Sequence, residues 1–146
     1  MKIYLDTCSL QRPLDSKTQI RIILEAEAVL GLLSLVETSQ VDLISSEVLL
    51  FETDRNPSLI RRQYALEALS KAGTFVVLNE QIEARARALI AEGIEPLDAL
   101  HLASAEQAGA NCLCTCDDQF LRRAKMLRNA RVQVVSPIEL IEEMER

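Results

Sequence analysis

NCLCTCDD, residues 111–118, sets three cysteines within five positions and runs directly into two aspartates. The cysteines recur with period two, so on an extended strand Cys112, Cys114 and Cys116 point to one face. Neighbours on one face of one strand cannot surround a tetrahedral ion by themselves, and zinc motifs use wider loop spacings with a second pair of ligands. The rest of the chain offers only Cys8 and a single histidine, His101, and no CxxC pair. Cysteine is among the residue types most often buried. The segment therefore reads as a small-residue core strand, 111–115, that delivers Asp117 to its carboxyl end.

Working outward, four more short β-rich segments appear: KIYL (2–5), VDLI (41–44), TFVVL (74–78) and VQVV (132–135). Helical stretches lie between them, introduced by start signals. Ser16 with Gln19 and Ser136 with Glu139 have capping-box spacing, the second with Pro137 at the first helical position. Asn56 before Pro57, and Asn79, are further candidate N-caps. Gly73 and Gly109 stand where helices should stop. Strands alternating with helices across short connections predict an α/β fold with a mainly parallel sheet of about five strands, covered on both faces. No linker, repeat or low-complexity tract divides residues 1–146, which predicts one domain.

Apolar residues make up 49% and charged residues 26%, the balance of a soluble globular chain. The longest apolar run, AVLGLLSLV at 28–36, is about half of a membrane span, so no membrane partner is expected. The opening MKIYLD has no leader pattern, which predicts a cytoplasmic location and reduced thiols. Net charge is −6. Any polyanionic partner would therefore need a local basic patch or bound cations.

In an open parallel sheet, ligands bind at the carboxyl ends of the strands, where the strand order reverses. Asp6 follows the first strand and Asp117 the fourth. Ser45 and Ser46 follow the second and lead into a short helix with Glu47 and Glu52. Pro96 opens a helix with Asp98 in its first turn. Each acid has an ordinary explanation: Asp117 as an N-cap, Asp98 and Glu47 as helix-start acids, Asp6 as a turn residue. Together they mean more. Two carboxylates about 4 Å apart repel by roughly 4 kcal/mol at an effective dielectric near 20. Such a cluster takes up protons unless a cation neutralises it, and an all-oxygen set suits Mg²⁺ or Mn²⁺. A hard ion of that kind activates water and stabilises charge on a phosphate. His101 falls one turn after Asp98 in ALHLASA, a segment apolar nearly all round, and reads as a hydrogen-bonded core histidine.

On these residues the chain resembles the PIN-domain family of small metal-dependent nucleases, over nearly its whole length and in order. YLDT looks like the first-strand motif, with Asp6 the acid. SSEVLLFE is similar to the second, a serine followed six residues later by the acid, which points to Glu52. GIEPLDALHLASA is similar to the third, with Asp98, and TCDDQFL to the fourth, with Asp117. Cys8 stands where many members carry asparagine. The resemblance implies a three-layer, Rossmann-like α/β/α sandwich, dependence on Mg²⁺ or Mn²⁺, and cleavage of single-stranded RNA. Asp6, Glu52, Asp98 and Asp117 would hold the metal, with Asp118 auxiliary and Thr7 and Thr115 orienting ligands. Many stand-alone members are toxins of VapC-like toxin–antitoxin pairs and dimeric, which implies an antitoxin partner and a homodimer. Arg12, Arg122 and Arg123, with Lys125 and Arg128, are candidates for gripping RNA, or else part of a solvated helix face.

Two other classes compete. A haloacid-dehalogenase-type phosphatase needs a second aspartate where Cys8 stands, and a phosphoaspartate receiver needs an aspartate after its third strand, where Asn79 and Glu80 lie. A non-catalytic interaction module is the stronger rival. The apolar second half of the expected helix 17–37 is either core packing or a dimer or antitoxin contact.

Overall fold

A computed structural model describes residues 1–146. Five strands, β1 (Lys2–Leu5), β2 (Asp42–Ser46), β3 (Thr74–Val76), β4 (Cys112–Cys114) and β5 (Gln133–Val135), pair in the order β3-β2-β1-β4-β5. Every pairing is parallel. Eight helices accompany them: α1 (Thr7–Gln11), α2 (Ile20–Glu37), α3 (Glu47–Asp54), α4 (Leu59–Leu69), α5 (Glu80–Ala91), α6 (Pro96–Gln107), α7 (Asp118–Lys125) and α8 (Pro137–Met144). The sheet grows one way from β1 through β2 to β3. It then returns through α5 and α6 to β4 and grows the other way to β5. Right-handed crossovers in opposite directions put helices on opposite faces, and the reversal falls between β1 and β4.

The strands are buried on both faces, which is why they read as apolar runs rather than alternating ones. Ile3, Tyr4, Leu5, Ile44, Leu113 and Cys114 have no accessible surface. Each such aliphatic side chain contributes roughly 1.5–3 kcal/mol. Cys112 and Cys116 are also buried, and all four cysteines are free thiols. The cysteine-rich strand is core, as its periodicity implies.

Local signals hold in most places. Ser136 and Glu139 form a complete capping box, and Asn79 caps α5 through Ile82. Gly109 ends α6 with φ +72 as expected, and Gly93, not singled out in the sequence, ends α5 with φ +103, conformations costly for residues with a Cβ; Gly73 ends no helix, since α4 stops at Leu69 with Ser70 as its C-cap. The strand expected at 74–78 stops at Val76. Three other differences have a local cause. The capping box at Ser16 and Gln19 does not form, and α2 starts at Ile20 with no side-chain cap. Residues 12–14 instead make a 3-10 turn, and Lys17 Nζ binds the carbonyls of Pro13 and Asp15, holding the chain out of helix. Asn56 stands two residues before the cap: its Oδ1 accepts from the Ser58 amide, and Ser58 caps α4. β2 runs on to Ser46, two residues past VDLI, because Ser45 and Ser46 pair with β3 before Ser46 caps α3. No helix is long and apolar enough to cross a membrane.

Candidate active site

The backbone joins the two central strands at their carboxyl ends. The Asp6 amide donates to the Cys114 carbonyl at 3.1 Å, which sets the residue after β1 beside the segment after β4. Asp6 is nearly inaccessible, and its Oδ1 caps α1 by accepting from the Ser9 amide at 3.1 Å. The Cys8 thiol donates to the same oxygen at 3.0 Å. Asp117 caps α7, its Oδ1 accepting from Gln119 N at 2.9 Å and Phe120 N at 3.1 Å. Both aspartates are therefore helix caps, the ordinary role expected of Asp117 and a more specific one than the turn residue expected of Asp6.

Glu52 reaches the rim from the last turn of α3. Its Oε1 accepts from the Thr7 hydroxyl and from His101 Nε2, the latter at 2.9 Å. Asp98 comes from the first turn of α6 and makes no hydrogen bond within the protein. Thr115 lies between the two strand ends. Its Oγ1 accepts from the Asp117 amide at 3.1 Å and sits 3.4 Å from the Cys8 sulfur.

Electrostatics tie Asp98 to Glu52 and Asp117. Burial, then the charges of Asp117, Glu52 and Glu95, raise Asp98 to about 6 against the opposing pull of His101. Burial, then the neighbouring Cys8, push Asp6 well above the ordinary aspartate range. Glu52 differs. Burial would raise it, but the bonds from His101 and Thr7 outweigh that and leave it below its usual value. One carboxylate is thus held ionised while two others resist ionisation, Asp6 through burial and Cys8 and Asp98 through burial and the acids beside it.

The donor set and the surplus charge fit a hard divalent cation. One oxygen of Glu52, one of Asp117 and both of Asp98 are free of protein hydrogen bonds. Donor spacing is looser than a finished site, since no three acidic, histidine or cysteine side chains are gathered tightly enough to enclose an ion. The fit is one of charge and chemistry.

The auxiliary and basic candidates fare unequally. Asp118 is turned to Arg21, Oδ2 to Nη1 at 2.7 Å, and Arg21 also donates to the Cys116 carbonyl at 3.0 Å. Arg12 is committed within the protein, to Asp15 at 3.0 Å and to the buried Glu25 at 2.9 Å. Arg123 makes a surface pair with Glu95 and Lys125 one with Glu139. Arg122 and Arg128 are exposed. Arg21 and Glu25 were not anticipated, although their i,i+4 spacing on a predicted helix is a legible signal. The contact from His101 to Glu52 was also missed, since it joins residues 49 positions apart.

Among curated proteins, no sequence matches this chain. In solved structures the fold recurs in VapBC2 from Rickettsia felis bound to a DNA fragment from their promoter, with TM-score 0.57 and 14% identity over 92% of this chain and 97% of that one. It recurs also in PAE2754 from Pyrobaculum aerophilum, with TM-score 0.53 and 15% identity over the whole of both chains. The model of the PIN domain matches residues 3–126, from the first strand through the helix that Asp117 caps. With that match covering most of its length, the chain belongs to the PIN domain family.

Proposed function

We propose that residues 1–146 act as one PIN domain that hydrolyses phosphodiester bonds of single-stranded RNA with Mg²⁺ or Mn²⁺, as the toxin of a toxin–antitoxin pair. PIN domains are in general nucleases, which supports the reaction class. The observation that carries the reading is Asp98, a carboxylate with no protein partner, raised to about 6 by burial and by the acids around it. Asp6, Glu52, Asp98 and Asp117 would hold the ion. When bound, it supplies a water activated for attack on phosphorus and a counter-charge for the leaving oxygen.

The protein's own part is positioning. Helix caps fix Asp6 and Asp117 at the strand ends, Thr7 and His101 fix Glu52, and Thr115 spans the two strands. Substrate grip falls to the α7 side, where Arg122 and Arg128 are exposed and the surface pair of Arg123 is loosened by water and salt. The VapBC2 neighbour supports an antitoxin partner. A homodimer and a cytoplasmic location complete the proposal.

The experiment is cleavage of single-stranded RNA with Mg²⁺ or Mn²⁺, with EDTA and Asp6→Asn and Asp117→Asn proteins as controls. Asparagine caps helices about as well as aspartate, so both variants should stay folded while cleavage is abolished. Activity retained in either, or in EDTA, removes the assignment. A second reading, a non-catalytic module that binds a protein or RNA partner, is favoured by one feature. Leu50, Phe51, Leu66 and Phe75 are all exposed around α3, α4 and the edge strand β3. Partner binding without any divalent-metal binding would select it.

A further inference from the structure

From Glu52 runs a buried polar chain that joins four elements, α3, α6, β1 and β2. His101 Nε2 meets Glu52 Oε1 at 2.9 Å, and His101 Nδ1 meets the Tyr4 hydroxyl at 2.6 Å. The Tyr4 hydroxyl meets Ser46 Oγ at 2.7 Å, and Ser46 Oγ accepts from the Leu49 amide at 3.1 Å. Tyr4 and Ser46 have no accessible surface and His101 has 2%. The Tyr4 and His101 rings also pack edge to face at 5.6 Å, which fixes the imidazole plane. No member of this chain is among the acids expected to bind the ion except Glu52.

The chain has a direction. An ionised carboxylate only accepts, so Nε2 carries the hydrogen and donates to Glu52. In the neutral ring Nδ1 then accepts, so the Tyr4 hydroxyl must donate to it. The Tyr4 oxygen in turn accepts from the Ser46 hydroxyl, leaving the Ser46 oxygen to cap α3. Each hydroxyl and ring hydrogen is donated once, and the Tyr4 and Ser46 oxygens each also accept one bond.

Two geometric consequences follow. Ser46 caps the helix whose last turn carries Glu52, so the chain grips both ends of α3. His101 lies three residues after Asp98 on α6, on the same face. One helix therefore supplies an acid directly and sets the position of a second.

We propose that His101, oriented by Tyr4 and Ser46, is a positioning residue that presents Glu52 to the divalent cation and sets its placement relative to Asp98. The inference rests on the metal-dependent nuclease reading of the site. His101 does not touch substrate; it acts through Glu52, in the way that hydrogen-bond partners of metal-binding carboxylates fix and tune them.

The test is Mn²⁺ affinity, measured by calorimetry and by the Mn²⁺ resonance signal, for the whole chain and its variants. His101→Leu should weaken Mn²⁺ binding about 10-fold, the low end for loss of such a partner. His101→Gln, whose amide N–H replaces Nε2–H, should restore binding to within about 2-fold of the unaltered protein, and Tyr4→Phe should weaken it about 3-fold. In an Glu52→Gln background, His101→Leu should have no further effect, which a merely structural role would not predict. Should His101→Leu fail to fold, Tyr4→Phe, which keeps the ring, carries the same comparison. Unaltered protein that binds Mn²⁺ while His101→Leu or Tyr4→Phe binds it equally well overturns this proposal alone. A His101 effect that persists unchanged in the Glu52→Gln background overturns it too. Unaltered protein that binds no Mn²⁺ overturns the nuclease reading, and the positioning role falls with it.

Discussion

In the folded chain Asp98 keeps its proton up to about pH 6, whereas an unhindered aspartate loses it near 3.8. Between those values the folded state holds a proton that the unfolded state has released. The contribution of Asp98 to stability is therefore complete below about pH 4 and is lost as pH rises through 6. A shift of about two units corresponds to about 3 kcal/mol, which solvent screening of this half-buried group reduces to about 1 kcal/mol. Metal-free Asp98→Asn protein should then match the parent at pH 4 and exceed its stability by about 1 kcal/mol at pH 7.5. Urea unfolding at the two pH values reads the difference, and equal stabilities at pH 7.5 would remove the claim that charge is in surplus here. Asp6, Asp98 and Asp117 were legible as candidates because each follows a strand or opens a helix, whereas Glu52, in the last turn of α3, was singled out only by the motif resemblance. What His101 does was not legible, because an apolar helix sequence shows that a histidine is buried and not which carboxylate it meets.

At the scale of elements, the sequence announces most helices through their caps, since a cap is a local interaction between residues two or three apart. Ser136 with Glu139 and Asn79 act as their spacing implies. The Ser16–Gln19 box fails because a preceding turn, held by Lys17 against two carbonyls, competes for the same backbone. Ser46 shows how a cap takes on a second duty. It ends β2, caps α3 and anchors Tyr4. Ser136→Ala should cost about 1 kcal/mol, the ordinary loss of a cap. Ser46→Ala should cost more, about 2–3 kcal/mol, since it also strips a buried tyrosine hydroxyl of a partner. Denaturant melts of the two variants make the comparison, and equal losses would show that the bond to Tyr4 contributes nothing. The cysteine strand makes the complementary point. Cys112→Ala should cost about 1 kcal/mol of packing and leave Mn²⁺ affinity unchanged; a changed affinity would return the thiols to the site.

For the molecule as a whole, the proposed RNA substrate poses a difficulty, since the chain carries a net charge of −6. Composition locates arginines but not their partners, and the fold divides them into two kinds. Arg12 opens the 3-10 turn and pairs with Glu25, which is 2% exposed and whose other cation, Arg21, stands at 3.4 Å. Removing Arg12 leaves a buried carboxylate poorly compensated, so Arg12→Ala should cost about 3 kcal/mol of stability. That pairing needed the packing of the 3-10 turn on α2 to be known, which no local signal reveals. Arg122 and Arg128, exposed on and just beyond α7, should behave in the opposite way. Replacing either by alanine should leave the unfolding midpoint unchanged and weaken RNA binding at low salt. Each should also flatten the slope of log affinity against log salt by roughly 0.7, the value for one phosphate contact on a single strand. Anisotropy titrations of a labelled single-stranded RNA, with Asp6→Asn protein to prevent cleavage, measure both quantities across several salt concentrations. An unchanged slope in the Arg122→Ala and Arg128→Ala proteins would mean that the α7 side is a solvated face. The polyanion would then have to be held by bound cations at the acidic rim.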